Sequence, residues 1–113
     1  MIHLPDQAII KKKIEFYEKA YEEYLKLPRK VSKKFKTIFL ILQNEGQLQE
    51  PEGKKLTGSG LFEIRVRIQG QWRGLYAYLN RRTVIILRFF QKKTQKTPEK
   101  EINIALKRLS NIK

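Results

Sequence analysis

The apolar residues of the N-terminal half recur every three or four positions, which predicts two helices. The first follows a strand in the second half of residues 9–16. Its apolar positions are Tyr17, Tyr21, Tyr24 and Leu25. Pro28 suits the start of the second helix, and Asn44-Glu45-Gly46 suits its end. The apolar stripe of the second helix consists of Val31, Phe35, Ile38, Phe39 and Leu42. The segment is therefore predicted to be a helical hairpin.

In the second half of the chain, apolar and polar residues alternate with a period of two, which predicts strands. From Leu61 to Ile68 one face is apolar, and the other face carries Glu63, Arg65 and Arg67. Gly70 marks a tight hairpin into residues 72–79, and residues 80–82 turn the chain into residues 83–90. This last strand is β-branched or aromatic on both faces, which is typical of a central strand covered on both sides.

A final amphipathic helix is predicted after Pro98. Thr97 is predicted to be its N-cap and Pro98 its first residue. Its apolar positions are Ile102, Ala105, Leu106 and Leu109. The order β-α-α-β-β-β-α indicates an α+β fold, a small and mostly antiparallel sheet with the helical hairpin on one face and the other face partly open. At this length we expect a single domain over residues 1–113.

The register of the hairpin at Gly70 decides which face carries Arg73. A two-residue turn would place Arg73 on the apolar side, where an unpaired buried charge is costly. A three-residue loop over residues 69–71 would pair Ile68 with Trp72 and Arg67 with Arg73. We therefore predict the three-residue loop. It would gather these cations on the open face: Arg65, Arg67, Arg73, Lys92 and Lys93.

The charge balance points to a polyanionic partner. The chain carries 25 Lys and Arg against 11 Asp and Glu, a formal net charge of +14. Residues 1–50 hold 10 basic and 7 acidic side chains, whereas residues 51–113 hold 15 basic and 4 acidic ones. The loop between the apolar strand and the final helix, here called the lysine loop, contains Lys92, Lys93 and Lys96. Rigid elements hold this loop on both sides. We expect the C-terminal half to bind the anion.

Other classes of protein are disfavoured by composition. One histidine and no cysteine exclude a structural zinc site, and we expect no cofactor. No apolar run approaches the length of a membrane span, and the N-terminus lacks the apolar core of a signal peptide. We therefore expect a cytoplasmic protein.

Several motifs resemble the phage-derived HigB-like branch of the RelE/ParE toxin superfamily. They are Lys55-Leu56-Thr57-Gly58, Leu61-Phe62-Glu63-Ile64-Arg65, Trp72-Arg73 with Tyr76, residues 90–98, and the helix that bears Ala105. The resemblance covers about two-thirds of the chain by motif. It implies a RelE-like fold of two helices on a small curved sheet, in agreement with the predicted order of elements.

The resemblance also implies a function. Such a protein is the toxin of a type II toxin–antitoxin system that cleaves mRNA on the ribosome without a metal ion, and it is held inactive by an antitoxin, here expected to be a helix-turn-helix protein. A ribose 2′-hydroxyl attacks the adjacent phosphate, and the 5′-oxygen leaves. The reaction requires a base, cations at the phosphate and an acid at the leaving oxygen.

The resemblance carries roles to particular residues. Arg65 and Arg73 match basic positions that clamp the scissile phosphate, and guanidinium forks suit phosphate oxygens. Lys92 and Lys93 match a basic pair, of which one would protonate the leaving group. Glu63 replaces a lysine of some relatives and is either the base or an orienting ion-pair partner of the arginines. The catalytic candidates are Arg65, Arg73, Lys93 and Glu63.

Further cations are candidates for contacts with RNA. Lys54 and Lys55 lie in a predicted glycine-rich loop, and Arg88 stands where relatives often carry a histidine. The candidates for RNA binding are Lys54, Lys55, Arg67, Arg88, Lys92 and Lys96. A solvated loop and a solvated sheet face are the plainer interpretations of the same residues. The lysines of residues 33–36 are interpreted as serving solubility and long-range steering.

Two other functions are compatible with the same sequence. ParE-like members of the superfamily inhibit DNA gyrase, so the chain could be such an inhibitor without nuclease chemistry. Composition alone also permits a non-enzymatic basic domain that binds RNA or the ribosome. Arg65, Arg73 and the lysine loop favour RNA as the target.

Overall fold

The computed structural model describes residues 12–112, which contain five strands and three helices. The elements are β1 (Lys13–Phe16), α1 (Glu18–Leu25), α2 (Arg29–Glu45), β2 (Gly53–Leu56), β3 (Leu61–Val66), β4 (Trp72–Tyr78), β5 (Thr83–Gln91) and α3 (Glu99–Ile112). The strand predicted in the second half of residues 9–16 is confirmed as β1, and residues 9–11 lie outside the described residues. No helix within residues 12–112 is long and apolar enough to cross a membrane.

The helical hairpin forms as predicted, with α1 followed by α2. All five residues of the predicted stripe of α2 are buried. Gly46 ends the helix with φ of 82°, a left-handed conformation that glycine adopts without a Cβ clash. Its N–H donates to Leu42 O at 2.8 Å.

The sheet has the order β1-β5-β4-β3-β2. β1 is parallel to β5, and the other three pairs are antiparallel. The predicted mostly antiparallel sheet is therefore confirmed. Six of the nine residues of β5 are buried, in positions facing both sides, so its prediction as a strand covered on both faces is also confirmed.

Helices pack on both faces of the sheet. On one face α1 and α2 form an aromatic core in which Phe35, Phe39 and Phe89 are in contact. On the other face Ala105 of α3 packs near Leu75 and Leu87. This second face is covered by α3 over only part of its area. The candidate site lies on this face, at the end of the sheet where β4 begins and β5 ends.

The sequence-based prediction missed the edge strand β2. Lys54 and Lys55 lie in this strand, opposite Glu63 and Phe62 of β3, and not in a glycine-rich loop as predicted. The strand escaped prediction because it is four residues long and half of it is lysine, a composition that protects sheet edges and lacks an apolar alternation.

The predicted register of the β3–β4 hairpin is wrong by two residues. Arg65, not Arg67, lies opposite Arg73, and the connecting loop spans residues 67–71. Gln69 and Gly70 both take positive φ, 54° and 118°, and this extends the turn. Because a shift of two residues preserves the sheet face, Arg73 still lies on the same face as Arg65. Arg67 belongs to the loop and not to the strand.

The start of α3 also differs from the prediction. Pro98 O accepts hydrogen bonds from the N–H groups of Glu101 and Ile102, so Pro98, not Thr97, is the cap residue. The hydroxyl of Thr97 donates to Glu63 instead. This contact joins the lysine loop to β3.

Candidate functional site

Two arginines face each other across adjacent strands. Arg65 of β3 is the register partner of Arg73 of β4. Like charges directly opposite each other in a sheet are destabilising. Arg73 is 2% exposed and Arg65 is partly buried, so solvent screens this pair weakly. An arrangement of this kind needs an anion to stabilise it.

Glu63 supplies one negative charge to the pair. Glu63 is 1% exposed, and its Oε1 accepts a hydrogen bond from Arg65 Nε at 3.1 Å. Arg73 Nε lies 3.7 Å from the same oxygen. Oε2 accepts a short hydrogen bond of 2.6 Å from Thr97 Oγ1. Glu63 therefore orients both guanidinium groups but neutralises only one of them.

The guanidinium of Arg73 is fixed in place from several directions. Nη1 donates to Trp72 O at 2.9 Å, and Nη2 donates to Gln71 Oε1 at 3.3 Å. Nε has no hydrogen-bond partner among the described residues. Burial lowers the pKa of Arg73, Glu63 opposes this effect, and Arg65 and Arg67 add to it. An arginine stays protonated in spite of such a shift, so the site keeps a buried positive charge.

Two clefts open beside the arginine pair. The arginine cleft, of about 590 Å³, is lined by Arg67, Gln71, Arg73, Lys92, Lys93, Thr94 and Gln95. The lysine cleft, of about 320 Å³, has these cations in its lining: Lys54, Lys55, Arg65, Lys92 and Lys96. Both clefts include Lys92 and Gln95, so they adjoin along the lysine loop. Together they form a cationic concavity suited to a phosphate backbone.

Lys92 lies where the two clefts meet, directly after β5. Its N–H donates to Gln71 O at 2.6 Å, and this bond joins the lysine loop to the β3–β4 loop. Burial, followed by the charge of Arg73, lowers the pKa of Lys92, and Glu63 opposes the shift. A lysine with a lowered pKa gives up its proton more readily, so Lys92 is suited to proton transfer as well as to charge neutralisation.

The family described as "Phage derived protein Gp49-like (DUF891)" matches residues 22–110. The chain belongs to this family. The match includes both arginines, Glu63, the lysine loop and nearly all of α3. No match among curated proteins reaches significance.

Solved structures confirm that this Gp49-like protein has a RelE-like fold. A double arginine-to-alanine mutant of the E. coli toxin RelE, in the free state, superposes with a TM-score of 0.70 at 20% sequence identity, covering 88% of this chain and 99% of that one. A chain of the Mycobacterium tuberculosis toxin–antitoxin complex RelBE2 superposes with a TM-score of 0.55 at 25% identity, covering 74% of this chain and 100% of that one. The RelE-like superfamily predicted from the sequence motifs is therefore confirmed.

Nearly all of the predicted site residues lie together in the Gp49-like protein. Those that line the two clefts are Lys54, Lys55, Glu63, Arg65, Arg67, Arg73, Lys92, Lys93 and Lys96. Gln71 and Gln95, which the sequence-based prediction passed over, also line the clefts. Uncharged amides in loops gave no signal that would have identified them.

Arg88 is not part of this site. Its Nε donates to Glu101 Oε1 of α3 at 2.7 Å, and Nη1 donates to Glu23 of α1. Burial would lower the pKa of Arg88, but Glu101 and Glu23 outweigh burial and raise it. The prediction of Arg88 as an RNA contact is therefore corrected, because two carboxylates already occupy its guanidinium. These partners lie 13 and 65 residues away in sequence, beyond the range of a local pattern.

Replacing Thr97 by valine should destabilise the site. Within the described residues, Thr97 is the one hydrogen-bond donor to Glu63 Oε2, and a nearly inaccessible carboxylate oxygen without a donor costs about 1–3 kcal/mol. We expect the free energy of unfolding, measured with urea, to fall by that amount in Thr97→Val. Thr97→Ser keeps the hydroxyl and should lose less than half as much. Equal stability of Thr97→Val and wild type would show that the bond does not hold Glu63.

Proposed function

We propose that this Gp49-like protein is the toxin of a type II toxin–antitoxin pair and that it cleaves mRNA on the ribosome. The observation that carries the proposal is the pairing of partly buried Arg65 with buried Arg73 on one sheet face, beside Lys92. Glu63 is the buried carboxylate beside these three cations, and the exposed Glu50 reaches Arg65 only at 4.0 Å, which leaves the site with excess positive charge. A scissile phosphate supplies the missing negative charge, and its transition state supplies more.

The proposed reaction uses the RNA's own nucleophile. The ribose 2′-hydroxyl passes its proton to solvent water or hydroxide, and the 2′-oxygen attacks the adjacent phosphorus while the bond from phosphorus to the 5′-oxygen breaks. The products are a 2′,3′-cyclic phosphate and a 5′-hydroxyl end. Arg65 and Arg73 bind the non-bridging oxygens, on which negative charge accumulates. Lys92 donates a proton to the departing 5′-oxygen, and Lys93 neutralises charge at the mouth of the arginine cleft.

Glu63 is proposed as a positioning residue and not as the base. Both of its oxygens already accept hydrogen bonds, from Arg65 and from Thr97, and the side chain is 2% exposed. A 2′-hydroxyl would have to approach a carboxylate that is almost inaccessible and already accepts two hydrogen bonds. The same contacts suit Glu63 to hold the two arginines in a fixed geometry.

The remaining cations are proposed to guide the RNA backbone. Lys54, Lys55 and Lys96 line the lysine cleft on one side of Lys92, and Arg67 lines the arginine cleft on the other. A single strand that enters along one cleft and leaves along the other passes the arginine pair. These exposed lysines bind successive phosphates through charge, without reading the bases.

We also propose that an antitoxin covers these clefts. This antitoxin would be a helix-turn-helix protein or would bring an acidic segment. The RelBE2 structure contains a toxin with its antitoxin, and the fold of the present chain resembles that complex's matched chain. A net charge of +14 favours a partner that brings negative charge.

Induction of this protein alone in a bacterial host tests the proposal. We expect protein synthesis to stop first and transcripts to be cut within their coding regions, because mRNA on the ribosome is the substrate. Incorporation of labelled methionine and thymidine, measured in parallel, separates this function from gyrase inhibition. An early arrest of DNA synthesis with intact transcripts would contradict the proposal, and so would normal growth at high expression.

A further inference from the structure

A third concavity lies between α2 and the end of β3, next to Arg65. Its volume is about 230 Å³, and its lining includes Lys34, Pro51, Glu52, Arg65, Arg67 and Ile68. Arg65 also lines the lysine cleft, and Arg67 also lines the arginine cleft. The three concavities therefore adjoin one another around these two arginines.

The third concavity has excess positive charge. Lys34, Arg65 and Arg67 are its cations, and Glu52 is the carboxylate in its lining. Within residues 12–112, no Lys or Arg nitrogen lies within 4.0 Å of the Glu52 carboxylate. Glu50 reaches Arg65 only at 4.0 Å, and its side chain is largely exposed. Neither glutamate neutralises Lys34 or Arg67.

Lys34 is distinguished from the other lysines of α2 by its position. Successive helical residues are rotated by about 100°, so Lys34 and Lys36 point to nearly opposite sides of the helix. Lys34 lines the concavity beside β3, and Lys36 does not. A lysine that the sequence suggested for solubility is thus placed beside two arginines of the site.

We propose that this third concavity is a binding subsite for a backbone phosphate of single-stranded RNA, and that Lys34 contacts that phosphate. The inference rests on the proposed function, since it extends the path of the same RNA strand beyond the arginine pair. A single strand carries phosphates at regular intervals, which fits a series of adjoining cationic concavities. An acidic protein segment would be the other occupant, but only the RNA backbone requires charge at each step along the path.

Binding of an uncleavable RNA tests the subsite. The probe is a twelve-nucleotide 2′-O-methyl RNA, which lacks the nucleophile, titrated at several salt concentrations against wild type, Lys34→Ala and Lys36→Ala. Lys36→Ala is the matched control, with the same loss of charge on the same helix. We expect Lys34→Ala to weaken binding roughly three- to fivefold and to reduce the salt slope by about 0.7, the value for one single-strand phosphate contact. Lys36→Ala should keep the wild-type slope.

The outcomes separate this inference from the proposed function. If wild type cuts mRNA and Lys34→Ala binds the probe as Lys36→Ala does, the subsite is overturned and the function stands. If Lys34→Ala weakens only the binding of an antitoxin, the concavity serves that partner and the inference is overturned. A wild-type protein that neither binds the probe nor cuts mRNA would overturn both. Thermal melting of both variants should match wild type, since both side chains are exposed.

Discussion

Arg65→Ala should lower the rate of mRNA cleavage by about 10² to 10³, because removal of one donor to a developing oxyanion has effects of this size. Arg65 is the better choice for this test than Arg73, whose side chain is 3% exposed against 17% for Arg65. Replacing the almost inaccessible Arg73 would leave a cavity in the sheet and would confuse a loss of activity with a loss of folding. Because Arg65 donates the hydrogen bond to Glu63 Oε1, the stability of Arg65→Ala in urea is measured beside its activity. Arg65→Lys keeps the charge but loses the planar fork, so it should recover only part of the rate.

A matched control for this experiment is Arg81→Ala in the β4–β5 turn. Arg81 is exposed and lies outside the lining of both clefts and of the third concavity. Both variants lose one positive charge, so a difference between them reports the position of the charge and not the net charge. We expect Arg81→Ala to remain toxic and Arg65→Ala to allow growth at equal expression. Equal toxicity of Arg65→Ala and wild type would remove the phosphate clamp.

Glu23→Gln should lower the free energy of unfolding by about 2–3 kcal/mol. This loss is smaller than that for breaking a fully buried ion pair, because the Glu23 side chain is 22% exposed. Glu23 of α1 accepts hydrogen bonds from Arg88, from Arg108 of α3 and from the N–H of Phe89. It therefore joins both helical layers to β5. The neighbouring Glu22→Gln is the control, since Glu22 is exposed and has no ion pair within the described residues. Urea unfolding should show a clear loss for Glu23→Gln and almost none for Glu22→Gln.

The effect of Glu23 should depend on pH. Burial would raise the pKa of Glu23, but the hydrogen bonds from Arg108 and Phe89 and the charges of Arg88 and Arg108 lower it below the usual 4.5. A carboxyl whose pKa is lower in the folded state stabilises the protein above its unfolded-state pKa and loses this contribution as pH falls through the folded-state pKa. The difference in stability between wild type and Glu23→Gln should thus be full at pH 7 and shrink below about pH 4.5. A difference that stays constant down to pH 3 would show that the charge of Glu23 is not what stabilises the fold.

Local patterns were sufficient for most elements of the fold. The stripe from Val31 to Leu42 specified α2, and the apolar residues of β5 specified a strand buried on both faces. These signals were strong because burial repeats with the period of the element. The edge strand β2 lacks such a signal, since it pairs on one side only. The length of the β3–β4 loop depended on the positive φ of Gln69, which no pattern in the sequence indicated.

The candidate site was predictable to the extent that its residues are near in sequence or alternate on one strand. Alternation placed Glu63 with Arg65, and the face of Arg73 followed from the cost of burying it among apolar side chains. That argument was right about the face, yet Arg73 is buried all the same, with Glu63 as its compensating charge. The roles of Thr97 and Arg88 depend on contacts between distant segments, which local patterns do not indicate. Thr97 was therefore predicted to be a helix cap, and Arg88 was predicted to be a contact for RNA.

Cleavage of mRNA on purified translating ribosomes, with analysis of the ends produced, tests the central claim most directly. Wild-type protein should cut the mRNA on the ribosome and leave 2′,3′-cyclic phosphate and 5′-hydroxyl ends, and Arg65→Ala should leave the mRNA intact over the same time. Intact mRNA with the wild-type protein, or ends that carry a 5′-phosphate, would contradict the account.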